Sequence, residues 1–126
     1  MILDSSAVVA ILNDEPEAGQ FAAAVAAADR VFVSAASLVE MAIVLGRDHF
    51  ASLDDFLDEV GAVVVDVDQH IATIARDGHH KYGRGSGSPA RLNFGDCFSY
   101  ALAKHLGLPL LFKGKDFTHT DVEPAA

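Results

Sequence analysis

Short apolar segments alternate with longer segments of helical spacing along this chain. Such alternation is typical of a parallel β-sheet with helices packed on its faces. Four of the short segments are almost wholly apolar, which is the composition of a strand buried on both faces. We therefore predict an α/β fold with strands at residues 1–3, 31–33, 62–65 and 110–112.

The segments of helical spacing begin with residues that favour a helix start: a hydroxyl or amide cap, a capping box or a proline. Ser5 or Ser6 is expected to cap the first helix, Ser52 and Asp55 resemble a capping box, and Asn93 is expected to cap the last helix. The predicted helices cover residues 5–13, 16–28, 37–46, 52 onward, 68–77 and 93–107.

The segment Gly83–Pro89 is rich in glycine, serine and proline, which oppose regular structure, so we predict a mobile loop there. After it, Phe94, Cys97 and Phe98 recur at helical spacing and are expected to pack the start of the last helix against the core. No repeat or linker divides the 126 residues, and 51% hydrophobic residues suffice for one core. We predict a single domain over residues 1–126.

The formal net charge of -9 argues against a protein that holds a polyanion through a broadly basic surface. Positive charge is nevertheless local, because four of the nine Lys and Arg residues fall within residues 76–91. Neither a basic leader nor a long apolar stretch follows Met1, so we expect a cytoplasmic protein without a membrane span. Cys97 has no partner at metal-ligand spacing and is predicted to be a core thiol.

Two aspartates follow predicted strands, and ligands of open α/β sheets bind outside the carboxyl ends of the strands. Asp4 comes directly after the first strand, and Asp116 lies just past the last one. Both have a structural alternative, since Asp4 could cap a helix and Asp116 could belong to a turn. Their position at one edge of the sheet makes them candidates for a shared site.

Two further acids stand in apolar surroundings. Glu40 is the only charge within residues 35–45, and a charged carboxylate left unpaired in a dry interior costs several kcal/mol. Asp96 lies at a helix start, whose positive dipole end favours a carboxylate. The alternatives are an exposed Glu40 at the rim of its helix and an Asp96 that only completes the cap at Asn93.

Convergence of these four acids would explain them together. Several carboxylates at close range repel one another and raise one another's pKa unless a cation lies between them. Oxygen ligands favour Mg²⁺ or Mn²⁺ over zinc. A site of this kind activates water and stabilises the charge that develops on a phosphate during hydrolysis.

Four segments are similar to the PIN-domain toxins of VapBC toxin–antitoxin modules. They are Met1–Ala7, the isolated Glu40 in an early apolar helix, Leu92–Ala101 and Leu110–Phe117. The resemblance covers almost the whole chain, and the last two segments are the most specific. The chain departs from the family pattern at Lys113, where a Thr or Ser often follows the last strand.

The resemblance implies a three-layer α/β/α fold with a central parallel sheet of four to five strands. It also implies an endoribonuclease that uses Mg²⁺, for which Mn²⁺ may substitute, with Asp4, Glu40, Asp96 and Asp116 as catalytic residues and metal ligands. By the same resemblance Ser6 would support them. Asn93 is expected to support Asp96 through the cap. The local positive charge of Lys81, Arg84 and Arg91 could contact RNA phosphates, although the glycine-rich loop between them could equally be only a flexible connection. The expected partners are RNA, a cognate antitoxin and a second copy of the chain in a homodimer.

Two other functions account for less of the sequence. A PIN-like domain that binds RNA or a partner without cutting would not need all four acids, yet all four are present. Asp66, Val67 and Asp68 after the third strand imitate the motif of haloacid-dehalogenase-like phosphatases, but His70 stands where that motif has a threonine or valine. Capping of the next helix explains Asp68 equally well.

Overall fold

Four short parallel strands form one sheet at the centre of the protein. The computed structural model describes residues 1–126, with strands β1 (Ile2–Leu3), β2 (Phe32–Ser34), β3 (Val63–Val65) and β4 (Leu110–Leu111) in the order β3-β2-β1-β4. Ile2 lies opposite Phe32 on one side and Leu110 on the other. The predicted parallel sheet of four strands is confirmed.

Six helices cover the two faces of this sheet. They are α1 (Ser5–Leu12), α2 (Ala18–Ala27), α3 (Ala35–Leu45), α4 (Phe50–Glu59), α5 (Gln69–Tyr82) and α6 (Asp96–Leu106), with short 3-10 helices at Arg47–His49 and Asp116–His119. No helix combines the length and the apolar character needed to cross a membrane.

Adjacent residues of the strands face opposite layers, as the pleat of a strand requires. Ile2 and Leu110 are buried in a core shared with α5 and α6, whereas Leu3 and Leu111 are buried in a core shared with α1 to α4. Two cores on opposite faces of one sheet make the three-layer α/β/α architecture that the sequence resemblance implied.

Several predicted helix starts are wrong by a few residues. The capping box at Ser52 is not formed, because the 3-10 turn before it runs directly into α4, which begins at Phe50. Pro16 precedes α2 rather than lying in its first turn. α3 begins at Ala35 after its cap Ser34, two residues before the predicted start at residue 37. The cap of α1 is Asp4 rather than Ser5 or Ser6.

Two burial predictions are also wrong. Val63 and Val64 are 41% and 42% exposed, because β3 is an edge strand and the helical layers cover it incompletely. Phe94, which was expected to pack against the core, is 79% exposed. Cys97 is buried in the core, as predicted.

The irregular segment after α5 is closed at its neck by backbone hydrogen bonds. The amide of Arg84 donates to the carbonyl of Leu92 at 3.0 Å, and the amide of Leu92 donates to the carbonyl of Tyr82 at 3.0 Å. Ala90 and Leu92 are fully buried. The glycine-rich loop therefore projects from a fixed base between α5 and α6.

Candidate active site

Asp4 follows β1 at the carboxyl edge of the sheet and is only 2% exposed. One carboxylate oxygen, Oδ2, accepts hydrogen bonds from the Ser6 amide at 3.0 Å and from the Ser6 hydroxyl at 2.5 Å. The other oxygen, Oδ1, accepts from the Ser99 hydroxyl at 2.6 Å. Asp4 therefore caps α1 and also presents a fixed carboxylate at the end of the strand, so the two interpretations of this residue are compatible.

A pair of buried serines holds Asp4 from the far side. Ser99 is fully buried, and since its hydroxyl donates to Asp4, its oxygen is free to accept from the Ser37 hydroxyl 3.2 Å away. Sequence reasoning missed both serines. Their spacing was a usable signal, because Ser99 lies three residues after Asp96 and Ser37 three residues before Glu40, on the same helix faces as the acids.

Glu40 extends from the middle of α3 toward the start of α6 and is half-buried. Its Oε1 accepts a hydrogen bond from the Ser5 hydroxyl at 2.5 Å. Its carboxylate also lies against the backbone of Gly95, where an added Cβ would be 2.7 Å from Glu40 Cδ. Because Gly95 has no side chain, the Glu40 carboxylate can lie against it, next to Asp96.

Asp96 begins α6 and is held by a reciprocal pair of hydrogen bonds with Asn93. The Asn93 amide donates to Asp96 Oδ2 at 3.0 Å, and the Asp96 amide donates to Asn93 Oδ1 at 2.9 Å. This is the predicted capping arrangement. It fixes the side chain of Asp96 while leaving its second oxygen, Oδ1, without a protein donor.

The pKa of Asp96 shows that the four acids share one neighbourhood. Burial raises the pKa of Asp96 to about 6, a hydrogen bond from Asn93 opposes the rise, and the negative charges of Asp4, Glu40 and Asp116 add to it. Asp116 is exposed at the start of its 3-10 helix, and its repulsion is the smallest of the three. Asp116 therefore lies at the open side of the cluster.

Lys113 contributes its backbone to the site rather than its ammonium group. Its amide donates to the Ser6 hydroxyl at 3.0 Å, whereas its Nζ forms ion pairs with Glu15 and Glu17. The Lys113 side chain therefore pairs with two other acids and does not supply the hydroxyl that a Thr or Ser would have at this position.

The donor set fits a hard divalent cation. Asp4, Glu40, Asp96 and Asp116 form no ion pair with Lys, Arg or His, although buried negative charge in proteins is normally compensated. Carboxylate oxygens are the ligands that Mg²⁺ and Mn²⁺ prefer. No three of the His, Cys, Asp and Glu side chains lie close enough together in this structure to hold a metal ion, so the four acids share a neighbourhood without forming a ligand group.

The residues predicted to contact RNA lie at the end of α5 and around the loop after it. Lys81, Arg84 and Arg91 are all exposed, and none forms an ion pair. Arg91 adopts a left-handed backbone conformation with φ of 50°. These three residues, called the cationic margin below, form no ion pair with the four carboxylates.

The structure explains Asp68, which belongs to the motif that resembles haloacid-dehalogenase-like phosphatases. Asp68 caps α5, because its Oδ1 accepts a hydrogen bond from the Ile71 amide at 2.9 Å. The strand before it, β3, is at the edge of the sheet, away from the acids described above. Asp68 is thus accounted for by its structural role.

The raised pKa of Asp96 predicts how the metal-free protein responds to pH. The folded-state value of about 6 exceeds the ordinary 3.8, so the folded state binds the extra proton between these values and loses stability as pH rises through them. We expect the Tm of Asp96→Asn, measured in EDTA, to rise relative to the Tm of the wild type between pH 4 and pH 7. A difference that is constant over this range would contradict the prediction.

Comparison with known proteins identifies the family of this chain. The family model of the PIN domain matches residues 1–123. Ribonuclease VapC28 of Mycobacterium tuberculosis is 50% identical over 129 residues, with 99% of this chain and 97% of that protein covered. The chain therefore belongs to the PIN-domain family and, within it, to the VapC type.

Two solved structures share the fold. The crystal structure of Mycobacterium tuberculosis VapC20, described as a sarcin-ricin loop cleaving toxin, superposes with a TM-score of 0.74 at 16% identity and covers 98% of both chains. A toxin–antitoxin complex from Klebsiella pneumoniae gives a TM-score of 0.72 at 17% identity, covering 99% of this chain and 97% of that one. At these identities the likeness concerns the fold alone.

Proposed function

We propose that this protein is an endoribonuclease that hydrolyses RNA phosphodiester bonds with Mg²⁺, or Mn²⁺ in its place, held by Asp4, Glu40, Asp96 and Asp116. The observation that carries the proposal is the packing that brings these acids together. Ser99 of α6 donates to Asp4, and the Glu40 carboxylate packs on Gly95, next to Asp96. The negative charge of Asp116 lies close enough to add to the raised pKa of Asp96. The ribonuclease names of the 50% identical relatives support the same activity.

The protein's own side chains would place the ligands before substrate arrives. Ser6 and Ser99 hold both oxygens of Asp4, while Asn93 holds one oxygen of Asp96 and leaves the other available. Ser5 fixes one oxygen of Glu40. When bound, the divalent ion would lower the pKa of a water molecule and offset charge on the phosphate.

The RNA substrate is proposed to be single-stranded or looped. Unpaired bases are the parts of RNA that proteins read, and the cationic margin formed by Lys81, Arg84 and Arg91 would contact its phosphates. Specificity would then depend on the loop at residues 83–89 and on the surfaces around the acids.

The biological role that fits this activity is the toxin component of a type II toxin–antitoxin module. The VapC-type relatives and the toxin–antitoxin complex with the same fold support it. We propose a cognate antitoxin protein and a second copy of the chain, in a homodimer, as its protein partners.

Chelation provides the direct test of the metal. We expect purified protein to cleave single-stranded RNA in Mg²⁺, to lose that activity by about 100-fold or more in EDTA, and to regain it on addition of excess Mg²⁺ or Mn²⁺, because the ligand set contains only oxygen. Cleavage is followed on end-labelled RNA. Activity that resists EDTA would overturn the metal assignment, and binding without cleavage in Mg²⁺ would favour a non-catalytic PIN-like domain.

A further inference from the structure

An apolar groove opens between α5 and the first turn of α6, the helix that begins at Asp96. Its volume is about 370 Å³, within the range of small-ligand pockets. Phe94, Cys97 and Phe98 line one side, and Ala72, Ala75 and His79 line the other. None of the roles assigned above uses this groove.

Phe94 is the most exposed large apolar residue of the protein, at 79%. Its ring is not loose, since it makes an edge-to-face contact with the ring of Phe98, with centroids 5.0 Å apart and planes at 84°. A fixed aromatic ring with most of its surface open is a ready surface for stacking.

Phe94 is close in sequence to one of the proposed metal ligands. Only Gly95 separates Phe94 from Asp96, and the Glu40 carboxylate packs on that same Gly95. A phosphate held at the carboxylates would therefore have the ring of Phe94 within reach of an adjoining nucleotide.

The position of the groove favours an RNA base as its occupant, because Phe94 in its lining is two residues from Asp96, one of the proposed metal ligands. The protein carries a formal charge of -9, so counterion release at a basic surface can supply only part of its affinity for RNA. Stacking of bases on aromatic rings supplies affinity that does not depend on charge. Arg76 and His79 also line the groove, and the Arg76 pair with Asp77 lies on the surface, where such pairs hold weakly.

We propose that Phe94 and the groove beside it bind an unpaired nucleobase by stacking and so position the nucleotide next to the phosphate that is cut. This inference rests on the proposed ribonuclease function and names a subsite for it. Phe94 acts as a substrate-binding residue, with Phe98 holding its ring in place.

The test measures RNA affinity separately from cleavage. In an Asp4→Asn background, fluorescence anisotropy with end-labelled single-stranded RNA is expected to give a Kd about 5- to 100-fold higher for Phe94→Ala than for Phe94. Phe94→Trp is expected to restore the affinity. Phe50→Ala is the matched control, because Phe50 is also an exposed phenylalanine, at 47%, but lies at the start of α4.

Two refinements identify the interaction as stacking. A set of RNAs is made in which a single abasic nucleotide occupies each position in turn. At one position the missing base should weaken binding to the parent protein but not to Phe94→Ala. The dependence of log Kd on log salt should be unchanged in Phe94→Ala, whereas Arg84→Ala should reduce the slope by about 0.7 to 1.

The proposal is overturned if Phe94→Ala binds RNA as tightly as its parent, if no RNA binds, or if abasic RNAs lose affinity equally with both proteins. It is also overturned if Phe94→Ala affects only the binding of a protein partner. Cleavage by the wild-type chain is scored independently: RNA stacking without cleavage would remove the nuclease assignment, and cleavage without stacking would remove only the subsite.

Discussion

Asp4→Asn is expected to lower the rate of RNA cleavage by well over 100-fold while the protein stays folded. Asparagine keeps the shape of the side chain and can still accept the capping hydrogen bond from the Ser6 amide, so α1 retains its start. It removes one negative charge from the proposed metal site. Loss of a residue that only orients a metal ligand costs about 10- to 100-fold, and loss of a ligand itself should cost more.

Single-turnover cleavage of labelled RNA at saturating Mg²⁺ measures this effect, and Tm checks the fold. Asp68→Asn is the matched control, because it makes the same chemical change at the cap of α5, where Asp68 bonds to the Ile71 amide. The control should cleave at the wild-type rate. Equal rates for Asp4→Asn and Asp68→Asn would discard Asp4 as a metal ligand and weaken the whole site.

The architecture was predictable because it depends on a pattern that is local in sequence. Each strand is a short apolar run between helical segments, and each strand was placed to within about two residues. The errors concern features that depend on contacts between elements. Val63 and Val64 are exposed because β3 is at the edge of the sheet. The order of the strands likewise depends on the folded arrangement and not on any one segment. Helix starts were displaced where turns preceded them, as at Phe50.

The acidic residues were predictable because a carboxylate is conspicuous after an apolar strand or within an apolar helix. The Ser6 hydroxyl was expected from the family resemblance, whereas the hydroxyls of Ser5, Ser37 and Ser99 were missed. Helical spacing puts Ser37 and Ser99 on the faces of Glu40 and Asp96, but it does not say which group each hydroxyl would reach. Ser99 and Asp4 are joined by a hydrogen bond across 95 residues of sequence, and Ser5 and Glu40 across 35. Contacts of this kind depend on how the helices pack, which no local pattern contains.

Structural and functional interpretations of one residue proved compatible rather than exclusive. Asp4 is a helix cap, and Asp96 completes the capping arrangement with Asn93. These same hydrogen bonds restrict the carboxylates to one orientation, which is what a metal site requires of its ligands. Capping hydrogen bonds thus place the two acids as well as starting their helices.

Gly95→Ala is expected to reduce cleavage by about 10- to 100-fold with little change in stability. Gly95 has φ of -64° and ψ of -40°, a helical conformation that alanine adopts readily, so the backbone is not strained. The new Cβ would instead be 2.7 Å from Glu40 Cδ, too close for the carboxylate to remain where it is. Since the Glu40 side chain is flexible, it should move away and leave the fold intact.

Gly19→Ala is the control for this methyl group, because Gly19 lies in α2 with no atom within 4 Å of an added Cβ. It should leave cleavage unchanged and raise Tm slightly, as alanine favours helices over glycine by up to about 1 kcal/mol. Gly95→Ala should in addition raise the Mg²⁺ concentration needed for half-maximal cleavage. Identical cleavage and Mg²⁺ dependence in the two variants would contradict the proposed placement of Glu40.

A double-variant cycle decides whether the methyl group acts through Glu40. If it does, adding Gly95→Ala to Glu40→Gln should cost almost nothing further, because the displaced group no longer carries the charge that the metal needs. Additive losses would mean that Gly95 affects cleavage by another route, through the start of α6 and the orientation of Asp96. The residual rates of Glu40→Gln and of the double variant therefore separate a displaced ligand from a disturbed helix start.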